Sequence, residues 1–195
     1  MKALQAILLL AFLTHLSACG IRSIPIAKNE VEAGIAEVTN QYKRRADLIP
    51  NLVKTVKGYA SHEKETFLAV TNARANATSI KIDPSNATPE QLLKYQQAQG
   101  QLTQALGRLL MVSERYPDLK ANTNFLNLQA QLEGTENRIT IARQRYIEKV
   151  KQFNILATVF PTSITNNFYF KYKKMPQWDV KEGEVVDTPP EIDFD

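Results

Sequence analysis

Apolar residues recur at intervals of three and four along most of this 195-residue chain. Val31, Ile35, Val38, Tyr42, Ile49, Leu52, Val56, Tyr59, Phe67 and Val70 form the first series, which falls on one stripe of a helix. The spacing predicts a helix over 30–77, about 70 Å long. A kink is expected at Pro50, where proline removes a hydrogen bond and crowds the preceding turn, with Gly58 a second soft point. Asp83-Pro84-Ser85-Asn86 is turn chemistry. Thr88-Pro89-Glu90-Gln91 then opens a second helix, with Thr88 as cap, Pro89 at the first position and Gln91 as capping-box partner. Its apolar face is Leu92, Tyr95, Leu102, Leu106 and Leu109. Gly100 and Gly107, seven apart, would permit a close helix approach at a propensity cost of about 1 kcal/mol each.

Pro117 ends that helix, and residues 118–122 turn the chain into a third, over 121–159. Phe125, Leu128, Leu132, Ile139, Ala142, Tyr146, Val150, Phe153 and Leu156 are its seam. Pro161 stops it, and 162–169 suits one short further helix. From Lys171 the helical period is lost, and Pro176, Pro189 and Pro190 among acidic residues read as an extended tail over 171–195, ending in Ile192-Asp193-Phe194-Asp195. Short connections between long helices make them antiparallel neighbours. The expected fold class is all-α: an antiparallel up-down bundle of three long helices plus a short closing helix over 30–170.

The N-terminus departs from this pattern. Lys2 gives a basic start, Ala3–Leu13 is apolar except for Gln5, and Leu16-Ser17-Ala18 precedes Cys19, the one cysteine of the chain. A basic start, an apolar stretch and small residues are the parts of a secretory signal peptide. Small residues followed by cysteine resemble the bacterial lipobox, in which the thiol takes a diacylglycerol and the chain is cut just before the cysteine. Residues 1–18 then read as a signal peptide and 19–29 as a short lipidated tether kept extended by Pro25. The alternative is an uncleaved anchor, although a span needs about 20 apolar residues and Thr14, His15 and Ser17 break this run. Either way the rest of the chain lies outside the cytoplasm, in the cell envelope. There it faces the periplasm or the cell exterior, and Gly20 after Cys19 favours the outer membrane's inner leaflet in a cell with two membranes. A single cysteine excludes a disulfide framework.

Charge adds little. Removing residues 1–18 removes only Lys2, so 23 basic against 20 acidic residues leave +3. No basic run exceeds Lys43-Arg44-Arg45, where nucleic-acid binding would want a stripe. No small-molecule substrate or cofactor is implied. His62-Glu63 resembles the start of a zinc-protease motif, but Thr66 stands where the second histidine belongs and no other ligand set exists. A lone His62 offers no Ser-His-Asp arrangement, and Glu63 and Glu65, two apart, diverge on a helix. No catalytic residue is expected.

Folding the chain at residue 83 sets residue 116 level with residue 50, and the next turn brings residue 120 back to that level. Two polar clusters are then expected. One joins Arg44, Arg45, Asp47 and Asn51 to Glu114, Arg115 and Asp118. The other joins His62 and Glu63 to Glu136, Asn137 and Arg138. Each reads either as a recognition site or as charges that neutralise one another and fix register, with Arg45 and Glu63 partly buried against a partner. The same count leaves Val31, Ile35, Val38 and Tyr42 without cover, which asks for the tail, another copy, a protein partner or the membrane.

Three blocks closely resemble the signature of the LemA family: Asn40-Gln41-Tyr42-Lys43-Arg44-Arg45-Ala46-Asp47-Leu48-Ile49-Pro50-Asn51-Leu52-Val53 with Val56 to Ala60 and His62-Glu63; Ser113 to Asn122; and Leu132 to Ile139 with Ala142-Arg143 and Tyr146. The Phe160-Pro161 stop and the final Ile192-Asp193-Phe194 also match. Ile35 stands where that family often has Trp, Lys173-Lys174-Met175-Pro176 departs from its usual tail, and the lipobox replaces a clear transmembrane segment. The resemblance implies a bacterial, membrane-anchored helical bundle (LemA-like four-helix bundle) outside the cytoplasm, with no established enzymatic activity or cofactor. The functional expectation is a non-enzymatic scaffold or adaptor that acts through its long helical faces and is held to the membrane by lipid on Cys19. A self-assembling module is the alternative, and an envelope hydrolase a distant third.

Overall fold

The computed structural model describes the backbone of residues 2–178, and side chains from residue 21 onward. Six helices appear there: α1 (Lys2–Tyr59), α2 (Lys64–Ser79), α3 (Pro89–Ser113), α4 (Pro117–Lys120), α5 (Thr123–Thr158) and α6 (Thr162–Thr165), the last running into a π turn over Asn166–Phe170. No strand occurs among the described residues, and the fold is all-α. The side chain of Cys19 and the whole of 179–195, including Ile192–Asp195, lie outside the described residues.

The first predicted helix is two. The backbone reverses over Ala60–Glu63, where Glu63 N–H reaches Ala60 O at 3.1 Å, and α2 runs back alongside α3. Three long helices thereby become four. The apolar period passes through this turn almost unbroken, from Val56 and Ala60 to Phe67 and Val70, all buried, so periodicity alone could not reveal it. α1 and α5 share the largest interface. The contacts Arg45–Glu136, Glu37–Arg145 and Tyr59–Asn122 set the two antiparallel.

Two expectations about α1 are corrected. Residues 21–29 are not an extended tether: they are helical through Pro25, and Ile24 and Ala27 are buried. Proline has φ suited to a helix, and burial of Ile24 and Ala27 offsets the hydrogen bond it removes and its crowding of the preceding turn. Val31, Ile35, Val38 and Tyr42 do not lack cover either. All are buried in one cluster with Ile139, Ala142, Tyr146 and Val150 of α5, Leu92 and Tyr95 of α3, and Trp178. α5 is long enough to run beside α1 as far as residue 24.

Pro50 has a visible consequence. It has no N–H to give the Ala46 carbonyl, and the Arg74 Nε–H of α2 donates to that carbonyl at 2.8 Å instead. Ala46 is buried, so the bond satisfies a carbonyl that would otherwise be orphaned. Arg74→Met is expected to cost about 1–3 kcal/mol. Pro50→Ala in the same chain should recover part of it, because alanine restores a backbone N–H that can serve the carbonyl. A double-mutant cycle by urea unfolding measures this, and purely additive effects would sink the assignment.

The capping box of α3 forms as expected: Gln91 N–H donates to Thr88 Oγ1 and Thr88 N–H to Gln91 Oε1, both at 3.2 Å. The glycine expectation fails. Nothing approaches a Cβ placed on Gly100 or Gly107, whereas one on Gly34 would meet Lys149 Cδ at 3.2 Å and the Tyr146 Cα at 3.5 Å. The tight approach is between α1 and α5.

Residues 171–178 carry no helix, as the sequence suggests, yet they are fastened to the bundle. Asn166 Nδ2 donates to Tyr172 O and Asn166 Oδ1 accepts from Tyr172 N–H, both at 3.0 Å. Asn154 grips Met175 likewise, at 3.1 and 2.8 Å. Each amide replaces a strand neighbour, giving the extended backbone both a donor and an acceptor. Tyr146 Oη donates to Pro176 O at 3.0 Å, and Trp178 ends the segment inside the core.

Candidate functional site

Arg45 is 2% exposed in the middle of the bundle. A charge taken from water must be paired and hydrogen-bonded, and two other helices, α3 and α5, supply the partners. Nη1 donates to Glu136 Oε2 of α5 and to Thr103 Oγ1 of α3, each at 2.9 Å. Nη2 donates to Gln99 Oε1 at 2.8 Å and to the Gln99 carbonyl at 3.2 Å. The guanidinium lies 5.0 Å from the Tyr42 ring centre, a cation–π contact. Its Nε, buried, has no hydrogen-bond partner. Glu136 is half exposed, so the pair joins core to surface.

An aromatic layer adjoins this arginine. Trp178 stacks on Tyr42 at 6.0 Å between ring centres and meets Tyr95 and Tyr146 edge to face at 6.5 and 6.2 Å. Arg143 lies over the indole at 5.4 Å. Burial, and after it Tyr42, push the Tyr95 hydroxyl well above the usual phenol range against the opposing pull of Arg45. Burial pushes Tyr146 up to about 12. Both phenols are therefore neutral at any physiological pH. The arrangement locks three helices in register, because a slip of one turn would leave a buried cation unpaired.

A second cluster closes the end of the bundle at the 60–63 and 114–122 turns. Glu63 Oε1 pairs with Arg115 at 3.0 Å and accepts from the Tyr116 hydroxyl at 3.2 Å. Lys120 pairs with Glu114 at 2.6 Å, and Asn122 Nδ2 donates to Tyr59 Oη at 2.8 Å. The expected partnerships are thus exchanged. Arg45 meets Glu136, not the 113–118 turn, and Glu63 meets Arg115, not 136–138. The reversal at Ala60–Glu63 shifts every level counted from an unbroken first helix. Arg44, Asp47, Asn51, His62, Asp118, Asn137 and Arg138 are exposed and join neither cluster through a side-chain bond. The sequence expectation omits Gln99, although a signal for it exists: a polar residue at seam spacing between Tyr95 and Leu102.

Between α1, the end of α2 and α3 runs a groove of about 570 Å³. Lys43, Arg74 and Lys81 line it, with Asp47 and the buried Tyr95 and Gln99. No group of three or more His, Cys, Asp and Glu is placed to hold a metal among the described residues.

The residues that make both clusters come from a stretch that matches one protein-family profile, that of the LemA family, over residues 34–194. The chain belongs to the LemA family. Relatives are remote. "Protein LemA" of Metamycoplasma hominis is 25% identical over 137 residues, 70% of this chain and 56% of that one. "Magnetosome protein MamQ" of Magnetospirillum gryphiswaldense is 24% identical over 178 residues, 83% of this chain and 65% of that one. "Magnetosome protein MamQ 2" of Paramagnetospirillum magneticum is 28% identical over 136 residues, 61% and 50%. The chain spans between half and two thirds of these relatives' length. In this LemA-family chain the first signature-like block meets the other two at separate clusters: its Arg45 pairs with Glu136 of the third, and its Glu63 with Arg115 and Tyr116 of the second. Gln99 lies in none of them.

Proposed function

We propose that this chain is a non-enzymatic envelope lipoprotein that works as a membrane-anchored scaffold or adaptor, holding a protein partner at the far tip of a rigid bundle. The observation that carries this reading is the continuity of α1. One helix runs from the apolar N-terminal stretch to the Glu63–Arg115 cluster, without a linker. From residue 21 to Tyr59 it measures about 57 Å, so a partner at the tip is held at a fixed distance from the anchor. Lipid on Cys19, or the uncleaved stretch before it, ties the base to the membrane, with the bundle facing the periplasm or cell exterior. The tip presents exposed His62, Arg115, Asp118 and Tyr59 around a half-buried carboxylate, a polar surface with one aromatic anchor. The self-assembling alternative rests on an uncovered Val31–Tyr42 face, and that face is buried within the chain.

A photo-reactive residue at position 115, compared in cells with one at position 141 on the flank of α5, tests the proposal. A discrete heterologous crosslink at 115, absent at 141, is the expected result. Crosslinks only between copies of this chain, or none at 115, would overturn it.

A further inference from the structure

The base of the bundle ends in a cluster of exposed apolar side chains. Chain leaving α5 at Thr158 folds through α6 and the π turn, and both pack against α1. Phe170 and Tyr172 point inward, stacked at 5.4 Å and packed against the cluster that holds Ile24 and Ala27. Val159, Phe160, Ile164, Phe168 and Tyr169 remain outside, with Phe160 70% and Phe168 78% exposed. Scattered surface hydrophobes are ordinary. Five within eleven residues, three of them aromatic, are not. On α1, Ile21 is exposed at the same end.

Charge and position identify what meets this surface. Residues 158–178 contain no Asp or Glu, while Lys171, Lys173 and Lys174 are all exposed. Arg22 adds a cation from α1. Lys28, about one and a half turns further in, faces acidic groups, Glu32 in an ion pair and Asp83 nearby. The antiparallel register sets Thr158 level with residue 23, two to four residues from the point where Cys19 lipid or the apolar stretch meets the membrane. Apolar and aromatic side chains flanked by lysine are the composition of a surface that rests in a headgroup layer.

We propose that residues 159–174, with Ile21 and Arg22, form a second membrane contact, in which Phe160, Ile164, Phe168 and Tyr169 enter the headgroup–acyl boundary and the lysines meet anionic phospholipid. The contact fixes the tilt of the bundle, which a single tether would leave free. It rests on the membrane-anchored reading above and goes beyond it.

Full-length chain carrying Phe168→Trp, or Met111→Trp near the opposite end, is reconstituted into vesicles of phosphatidylethanolamine and phosphatidylglycerol with brominated acyl chains, and floated vesicles are collected. Both positions are exposed, so neither substitution disturbs the core, and buried Trp178 is the shared background. Bromolipid is expected to quench the emission added by Phe168→Trp at least twofold, with a shift to shorter wavelength, and to leave that added by Met111→Trp unchanged. Chain that floats with the indole at position 168 no more quenched than the one at position 111 overturns this contact alone. A concentration-dependent shift without quenching overturns it in favour of a second copy on the same face. Chain that does not float defeats the anchored reading as well.

Discussion

Arg45→Ala should lower the unfolding free energy by about 3–5 kcal/mol, while Glu136→Gln should cost about 1 kcal/mol or less. Removing the arginine leaves buried Gln99 Oε1 without its donor, a penalty of about 1–3 kcal/mol. It also opens a void beside the Tyr42 ring, and the surrounding helices recover only part of the lost contact. The carboxylate left behind is half exposed and turns to water at little cost. Glu136→Gln keeps an oxygen for Nη1 and gives up a counter-charge that a half-exposed carboxylate supplies only weakly. Glu136→Ala should fall between, since Arg45 retains Gln99 and Thr103 but loses its acceptor on α5 along with the counter-charge. Arg45→Met combined with Gln99→Leu should be less harmful than Arg45→Ala, because both ends of a buried hydrogen bond become apolar together. Urea unfolding followed by helical circular dichroism and Trp178 fluorescence ranks these variants against the parent. An Arg45→Ala chain within about 1 kcal/mol of the parent would mean that the arginine is not held as described. The small margin of a single domain, about 5–15 kcal/mol, makes the expected loss visible as lower abundance in cells too.

This asymmetry explains why the sequence foretold part of the site and misplaced the rest. A charged residue near a seam position announces burial with a partner, and Arg45 and Glu63 both have one. Which partner depends on how many times the chain turns back. Thr88-Pro89 and Pro117 declare their reversals because proline and a capping threonine suit few other roles. Ala60-Ser61-His62-Glu63 declares little: it lacks proline and glycine itself, Gly58 just before it reads only as a soft point, and the apolar series continues on either side. One unseen turn exchanged the partners of both clusters and stripped Val31–Tyr42 of its cover on paper. The failure at Pro25 has the opposite cause, a strong local signal overridden by burial of Ile24 and Ala27. The Asn154 and Asn166 clamps follow no period at all, because they serve an extended segment from within helical and turn backbone.

Trp178→Ala should destabilise the protein as much as a substitution deep in α5, by about 3–5 kcal/mol, although it lies in a segment that reads as tail. The indole is 4% exposed and fills the space among Tyr42 of α1, Tyr95 of α3 and Tyr146 of α5. With α1 and α5 paired and α3 set against α2, those three rings would face a gap without it. Its loss leaves three aromatic faces partly unsupported and withdraws the ring that Arg143 covers. Trp178→Phe keeps the stacking and should cost about half as much. Asn154→Ala removes the clamp at Met175 but not the indole, and should cost about 1–2 kcal/mol. The order Trp178→Ala, Trp178→Phe, Asn154→Ala in urea midpoints, read by circular dichroism because the first two variants lose the only tryptophan, is therefore the expected one. If all three matched the parent, residues 171–178 would not be docked and the Tyr42 ring would want another cover. If Asn154→Ala equalled Trp178→Ala, the clamp and the indole would form one cooperative unit, bound or released together. In that case the height and tilt of the bundle above its anchor would depend on the strap over 171–178 as much as on the helices.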